Sequence, residues 1–325
     1  RFNSFLAIAK ATPFTKRGLL QLIARLYDPL ALLSPMIVPL KCAFQKACKE
    51  NIAWDCQLPQ EISDVVRFWL RDLSRVDAIE FPRYCFSFDK SSLKSVHLIG
   101  FSDASEAAFA GVFYVRVESD SGVGVNLFSS RSRVAPMKPQ SVPRLELLGC
   151  LVLANLSEHV KSSIVSVTTL NSEHFFTDSY TALCWVRNKG QHFKQFVEEQ
   201  LKKIRALTAT EHWQHVKGKD NPADLATRGL LPSELKASVF WNVGPEWLRL
   251  PPDQWPVGSE PVKQTEESIK EISKKEVWND DTTQSLGVTA VFVDLTFERF
   301  GNWSKLKRVA AFVKRFVFNL RTQLL

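Results

Sequence analysis

Four acidic residues lie at the ends of apolar runs or inside them, where a folded domain rarely tolerates a carboxylate. They are Asp103, Glu146, Asp178 and Asp224. Burial and mutual repulsion would raise the pKa of each carboxyl group unless a positive charge offset both effects. Oxygen ligands with few His or Cys residues nearby favour Mg²⁺ or Mn²⁺ over zinc. The sequence therefore predicts a centre for hard divalent cations.

The residues between these carboxylates predict alternating strands and helices. The predicted elements are strands at 95–101, 110–117 and 125–131, a helix that carries Glu146, a strand that ends at Asp178, helices through Trp185 and over 197–207, and a strand at 212–216. Such alternation is typical of α/β layer folds. On the helix that carries Glu146, we expect Pro143 in the first turn and a buried stripe of Leu145, Leu148, Val152 and Leu156.

The first ninety residues predict helices only. Thr15 is the expected N-cap of a helix over 16–27, and two more helices are predicted over 34–49 and 59–76. In the last of these, Ile62, Val65, Val66, Trp69, Leu70 and Leu73 form the expected apolar stripe.

Three stretches resemble the Pol polyprotein of BEL/Pao-type retrotransposons, a region also described as the Pao retrotransposon peptidase family. They are Leu26-Tyr-Asp-Pro-Leu-Ala-Leu-Leu-Ser-Pro35, Pro143-Arg-Leu-Glu-Leu147 and Lys219-Asp-Asn-Pro-Ala-Asp-Leu-Ala-Thr-Arg-Gly229. The order of the four acidic residues is similar to that of ribonuclease H. The resemblance implies a ribonuclease H-like mixed five-stranded sheet with flanking helices, preceded by an all-helical thumb or connection segment of a reverse transcriptase.

The same resemblance implies a function. The implied function is that of a metal-dependent endonuclease, a hydrolase that degrades the RNA strand of RNA–DNA hybrids during reverse transcription by two-metal phosphodiester hydrolysis with Mg²⁺ or Mn²⁺. Asp103 would bridge both metals, Glu146 and Asp178 would complete one metal site, and Asp224 would hold the other. The implied partners are the hybrid and the palm, fingers and integrase regions of the polyprotein.

Composition divides the chain further. We expect a helical thumb-like or connection-like segment at 1–90, a ribonuclease H-like domain at 91–232, an extended strap rich in Trp and Pro at 233–256, a charged linker at 257–288 and a basic amphipathic helix at 289–325 that leads towards an integrase. No signal peptide or membrane span is evident, so we expect an intracellular, cytoplasmic protein of a virus-like particle with no membrane partner.

A formal net charge of +8 favours a polyanionic partner. Basic residues near the acidic motifs would contact the phosphate backbone without reading sequence. The candidate nucleic-acid-binding residues are Ser105, Lys189, Lys194, Lys217, Lys219 and Arg228, together with Lys202, Lys203 and Arg205 on a predicted helix.

Two other functions stay open at this point. Asp120-Ser-Gly122 spells the tripeptide of aspartic peptidases, although polar flanks favour a hairpin turn between two strands. A degenerate element could also bind nucleic acid without catalysis, and the four acidic residues argue against that loss. Many ribonucleases H carry a His in a loop after the last strand; His215 lies within the strand pattern instead, and we expect it to be a packed or surface residue.

Overall fold

The computed structural model describes residues 3–82, 92–188, 190–256 and 265–272. Residues 1–274 form one compact unit, and 275–325 form a second that lies outside the described residues. The predicted linker, apart from residues 265–272, and the predicted C-terminal helix also lie outside them. None of the described helices has the length and apolar composition needed to cross a bilayer.

The helices and strands of the first unit follow the predicted alternation. In chain order they are α1 (Asn3–Ala11), α2 (Lys16–Arg25), α3 (Ser34–Lys49), α4 (Gln60–Leu73), β1 (Leu93–Ala104), β2 (Ala108–Ser119), β3 (Gly122–Val134), α5 (Val142–Val165), β4 (Ser172–Thr177), α6 (Tyr180–Arg187), α7 (Gln195–Leu207), β5 (Trp213–His215), α8 (Ala223–Arg228), α9 (Pro232–Ala237), α10 (Val239–Val243) and α11 (Glu266–Lys270).

Five strands form one mixed sheet in the order β3-β2-β1-β4-β5. β1, β2 and β3 pair antiparallel, whereas β1 with β4 and β4 with β5 pair parallel. The predicted fold class, a mixed five-stranded sheet with flanking helices, is therefore confirmed. β5 is shorter than predicted because residues 210–212 form a 3₁₀ turn before it.

Helices cover both faces of this sheet. On one face α5, α6 and α7 bury residues such as Leu98 and Phe113. On the other face Ile99 and Tyr114 are buried in a second cluster, which joins α8, the segment at 233–256 and the N-terminal helices. Successive strand residues point to opposite faces, so strands covered on both sides read as nearly continuous apolar runs.

The apolar stripe predicted for α5 is only part of its buried surface. Leu145 and Val152 pack with Phe109, but the main core contacts come from Leu147 and Leu153. The helix is apolar around most of its circumference, so periodicity alone does not identify one core face. Pro143 lies in the first turn as predicted.

The N-terminal helices match the prediction closely. Thr15 caps α2, since its hydroxyl oxygen accepts the N–H of Gly18 at 3.1 Å. α1 was not predicted, and α4 is shorter than expected at each end. Val65 of the predicted stripe is 42% exposed, which corrects its assignment to the core. These helices share one core with the sheet, and their origin as a reverse-transcriptase thumb or connection stays a prediction.

The segment at 233–256 packs on the preceding residues, but the prediction that it is extended is wrong. It contains α9 from residue 232, α10 and two 3₁₀ turns. Trp241 is fully buried, and its indole N–H donates to the carbonyl of Leu32 at 2.9 Å. The buried guanidinium of Arg116 donates to the carbonyl of Leu248 at 2.6 Å. Buried hydrogen bonds to backbone carbonyls thus hold this segment against the sheet.

Asp120 and Ser121 form the two-residue turn of the β2–β3 hairpin, because Ser119 pairs with Gly122. Gly122 has φ of 136°, a backbone conformation that side chains disfavour. The Asp120 carboxylate forms an exposed ion pair with Lys94 at 2.8 Å. The Asp-Ser-Gly tripeptide therefore makes a hairpin turn, as its polar flanks indicate.

Candidate active site

Two parallel strands bring Asp103 and Asp178 to the same end of the sheet. Ser102 of β1 pairs in register with Thr177 of β4. Asp103 directly follows Ser102, and Asp178 directly follows Thr177. Both carboxylates therefore lie at the same end of the two strands. β4 ends at Thr177, one residue before the predicted end, and Ser179 caps α6.

Close packing of α5 on β1 brings Glu146 to the same place. A Cβ atom at Gly149 would lie 2.8 Å from the carbonyl oxygen of Asp103, so only glycine permits this approach. Glu146 precedes Gly149 by about one helical turn. The backbone N–H of Ala104 partly offsets the rise in the pKa of its carboxyl group. The sequence thus places three carboxylates at one end of the sheet from three separate elements.

The carboxylates of Asp103, Glu146 and Asp178 form a compact cluster. Each offers an oxygen, and the three oxygens lie within 4.8 Å of one another. Asp103 is 4% exposed and Glu146 is 9% exposed. Oε2 of Glu146 and Oδ1 of Asp178 are buried and have no hydrogen-bond partner. Buried oxygens without donors are costly, which favours a ligand that supplies positive charge.

The electrostatics of the cluster point the same way. Burial, and next the charge of Asp178, raise the pKa of Asp103 to about 7. Burial, and next the charge of Asp103, raise the pKa of Glu146 to about 9. Burial is also the largest cause that raises the pKa of Asp178. The protein itself does not offset the cost of ionising these groups together.

Asp224 lies beside the cluster without joining its closest oxygens. It is in the first turn of α8, and its carboxylate pairs with Arg228 four residues later. Its negative charge helps to raise the pKa of both Asp103 and Glu146, so Asp224 repels the carboxylates of the cluster. The side chain is 32% exposed.

Two buried polar residues at the site were missed by the sequence analysis. Asn221 is 1% exposed; its Nδ2 donates to the carbonyl of Ser102 at 3.0 Å, and its side chain partly offsets the rise in the pKa of Asp178. Thr227 is 2% exposed, and its hydroxyl donates to the Asp103 carboxylate. Both lie in the stretch from Lys219 to Gly229 that carries the resemblance, which is the one signal that could have found them.

The donor set fits a hard divalent cation. Asp103, Glu146 and Asp178 offer oxygen only, which suits Mg²⁺ or Mn²⁺. The buried oxygens of Glu146 and Asp178 that lack hydrogen-bond partners, and the raised pKa values of all three residues, are expected of a site that binds a cation.

The predicted basic residues differ in their surroundings. Lys217 and Lys219 are exposed beside the turn at Gly218, where a Cβ atom would lie 3.2 Å from Oδ2 of Asp178. They therefore flank the cluster. Arg228 is exposed but paired with Asp224. The hydroxyl of Ser105 is engaged within its own turn and with the end of α8, since it lies 3.3 Å from the carbonyl of Ala108 and 3.3 Å from that of Thr227.

Other predicted basic residues are engaged within the chain. Nζ of Lys194 donates to the carbonyl of Lys270 at 2.6 Å. The guanidinium of Arg205 donates to the carbonyl of Trp185 at 2.7 Å, which makes it a structural residue. Lys202 and Lys203 are exposed on α7. Lys189 lies outside the described residues.

His215 is half-buried in β5, as expected for a packed residue, but it also contacts the site. Its Nε2 lies 3.1 Å from the backbone oxygen of Asp178. Its ring stacks on Tyr180, with centroids 3.7 Å apart and planes at 14°. The strand pattern gave no signal of this contact, which depends on how β4 and β5 pair.

The sequence of residues 15–179, about half of the chain, matches the family described as the Pao retrotransposon-like RNaseH-like domain. The chain belongs to this family. The match includes α2 to β4 and three of the four acidic positions, Asp103, Glu146 and Asp178. Membership confirms the predicted resemblance to Pao retrotransposons and the ribonuclease H-like class of the sheet. A search of curated proteins found no match.

Several solved structures are similar to this Pao family member at low identity. RNase H1 from the archaeon Halobacterium salinarum NRC-1 is 10% identical, with 39% of this chain and 88% of that one covered and a TM-score of 0.26. LC11-RNase H1 in complex with an RNA/DNA hybrid is 12% identical, with 43% and 99% covered and a TM-score of 0.29. The foamy viral protease-reverse transcriptase in complex with double-stranded DNA is 13% identical, with 67% and 35% covered and a TM-score of 0.34. These TM-scores are low, so the fold assignment rests on the family match and the observed strand order.

Proposed function

We propose that this chain is a divalent-metal-dependent endonuclease that cleaves the RNA strand of RNA–DNA hybrids. The observation that carries the proposal is the cluster of Asp103, Glu146 and Asp178 at one end of a ribonuclease H-like sheet. Three carboxylates within 4.8 Å, two of them with orphaned buried oxygens, destabilise the metal-free protein. Such an arrangement is explained by the cations that it would hold.

Asp103, Glu146 and Asp178 would hold one Mg²⁺ or Mn²⁺ ion, and Asp103 together with Asp224 would hold a second. Bound cations supply Lewis acidity at the scissile phosphate and lower the pKa of a bound water. Thr227 donates a hydrogen bond that orients the Asp103 carboxylate, and Asn221, held on the carbonyl of Ser102, would help to orient that of Asp178. Fixed ligands reduce the reorganisation needed during the reaction. Arg228 would release Asp224 when that carboxylate turns to a cation.

The substrate would approach the end of the sheet that carries the carboxylate cluster from its solvent-exposed side. Lys217 and Lys219 lie beside Gly218 and would contact backbone phosphates, which positions the duplex without reading its sequence. Selection of the RNA strand would need contacts with 2′-hydroxyl groups. We place the reaction inside the cell, in the cytoplasmic particle of a retrotransposon, with the palm, fingers and integrase regions of the same polyprotein as neighbours.

Cleavage of a labelled RNA strand in a hybrid tests this function. The chain should cut with Mg²⁺ or Mn²⁺ and stop with a chelator. Asp103→Asn should not cut, because it removes a ligand charge at nearly constant volume, and its circular dichroism spectrum should match the parent's. A folded parent that binds hybrid without cutting it would favour a degenerate nucleic-acid-binding protein instead.

A further inference from the structure

A short segment that follows the stretch at 233–256 lies against α6 and the starts of α5 and α7. The segment, Thr265–Ile272, is called here the Glu271 segment. Its backbone forms a bridge between Ile272 and Phe193, and the N–H of Lys194 donates to the carbonyl of Glu271 at 2.8 Å. The indole of Trp185 donates to the carbonyl of Ser268 at 3.2 Å. These contacts set one carboxylate of the segment in a defined place.

The carboxylate of Glu271 contacts two positively charged side chains, those of Arg144 and Lys194. The guanidinium of Arg144 donates to both of its oxygens, at 3.1 and 3.0 Å. Nζ of Lys194 lies 4.0 Å from the same carboxylate. The side chain of Glu271 is 14% exposed and that of Arg144 is 28% exposed, so the pair is partly desolvated. A forked pair of hydrogen bonds from Arg to a planar anion is also how Arg binds phosphate.

Arg144 lies at the same end of α5 as Glu146, and Lys194 lies beside Arg144 at the shared carboxylate of Glu271. Arg144 is two residues before Glu146 in the first turns of α5, about 3 Å along the helix axis. A nucleic-acid strand carries one phosphate for about every 3.4 Å of its axis. A duplex held at the carboxylate cluster therefore brings phosphates to the start of α5.

We infer that Arg144 and Lys194 form a phosphate-binding surface for the nucleic-acid substrate, and that Glu271 occupies this surface as an internal competitor. The inference rests on the proposed function and adds a regulation to it. The Glu271 segment must leave before both cations can contact phosphate. A change that releases it, such as cleavage of the chain before or after the segment, would then increase the affinity for substrate.

Binding measurements in the Asp103→Asn background test the competition, because that background isolates binding from cleavage. The probe is a fluorescein-labelled RNA–DNA hybrid, and the readout is its Kd by anisotropy over a range of salt concentrations. Glu271→Gln should lower Kd about fivefold or more and steepen the salt dependence by one to two phosphate contacts. Glu267→Gln, which removes an exposed charge from the same segment, should match the parent. Glu271→Gln should lose its effect when Arg144→Gln is also present.

A reversible lock provides a second arm. The hydroxyls of Thr181 and Thr265 lie 2.8 Å apart, close enough for a disulfide after Thr181→Cys and Thr265→Cys. The oxidised protein should bind hybrid at least about fivefold more weakly than the same protein after reduction. The disulfide would hold Glu271 in place, so phosphate could not reach the side chains of Arg144 and Lys194.

Equal Kd values for oxidised and reduced protein, or for Glu271→Gln and the parent, would overturn the inference. Absence of hybrid binding by every variant would overturn it too. Cleavage by the parent is measured separately, so a chain that cuts hybrid while Glu271→Gln and the lock have no effect would refute the competition and leave the nuclease assignment intact.

Discussion

The side-chain amide of Asn221 donates a hydrogen bond to the backbone carbonyl of Ser102, 3.0 Å away, and ties the turn before α8 to the end of β1. The same side chain partly offsets the rise in the pKa of Asp178, so one buried amide is tied to the end of β1 and acts on the carboxylate that follows β4. Its loss would loosen the site without removing a ligand.

Asn221→Ala should lower the free energy of unfolding by about 1–3 kcal/mol, because the carbonyl of Ser102 loses its buried partner. Urea denaturation measures this change. Asn155→Ala removes an exposed amide on α5 and should change the value by less than about 0.5 kcal/mol. Equal effects of the two substitutions would contradict the role given to Asn221.

The metal-free protein should lose stability as pH rises from about 4 to about 9. The pKa of Asp103 is raised to about 7 and that of Glu146 to about 9, so the folded state binds more protons than the unfolded state over this interval. The free energy of unfolding then falls with pH. Saturating Mg²⁺ should flatten the fall, and a metal-free protein whose stability rises over this interval would contradict the assignment.

Glu146→Gln should stabilise the metal-free protein at pH 8. At pH 8 the folded protein must keep the Glu146 carboxyl group protonated, because burial and Asp103 disfavour its charge, and Gln lacks this cost; each kcal/mol of relief should raise Tm by about 2–4 °C. Mg²⁺ should raise the Tm of the parent and have little effect on Glu146→Gln. Glu158→Gln, exposed on the same helix, should respond to Mg²⁺ as the parent does.

Gly149→Ala should cost about 1–3 kcal/mol of stability through overpacking, since its Cβ would lie 2.8 Å from the carbonyl oxygen of Asp103. It should also reduce cleavage, because α5 must shift away from β1. At Gly190 the nearest atom to an added Cβ is 3.8 Å away, so Gly190→Ala is the matched control and should change neither property. A Gly149→Ala protein as stable as Gly190→Ala would show that this close approach does not matter.

Asp120→Asn should leave hybrid cleavage and Tm unchanged. Asp120 lies in a hairpin turn, and its ion pair with Lys94 is exposed to solvent. A peptidase reading of Asp-Ser-Gly predicts instead that proteolysis of a peptide library depends on Asp120. Peptide cleavage that the parent shows and Asp120→Asn lacks would revive that reading.

The sequence predicted the succession of elements along the chain from β1 to β5 and the bounds of α2, α3 and α7 to within two residues, because local patterns specify them. The strand over 95–101 is marked by its apolar run and the helix over 34–49 by Pro35 in its first turn, and both are present. The extended strap failed because Trp and Pro residues indicate packing without specifying whether the backbone turns. α10 and the buried Trp241 follow from contacts with Tyr114 and Leu32, which are distant in sequence.

The sequence predicted the acidic residues of the candidate site, but not the polar residues that contact them. Asp103 and Asp178 each come directly after a predicted strand. Parallel pairing of the two strands then places both residues at the same end of the sheet. Asn221, Thr227 and the contact of His215 with Asp178 depend on tertiary packing that no local pattern carries. Lys194 was predicted to face nucleic acid, and its contacts with Lys270 and Glu271 could not be read from a segment more than seventy residues away.

The most direct test of the central claim is one cleavage reaction with a hybrid whose RNA and DNA strands carry different fluorophores. The account predicts that the parent with Mg²⁺ or Mn²⁺ cuts the RNA strand and spares the DNA strand and single-stranded RNA. A chelator or Asp178→Asn should abolish the cut. No cutting by a folded parent, or cutting that persists with chelator or with Asp178→Asn, would contradict the assignment of the carboxylate cluster as a nuclease centre.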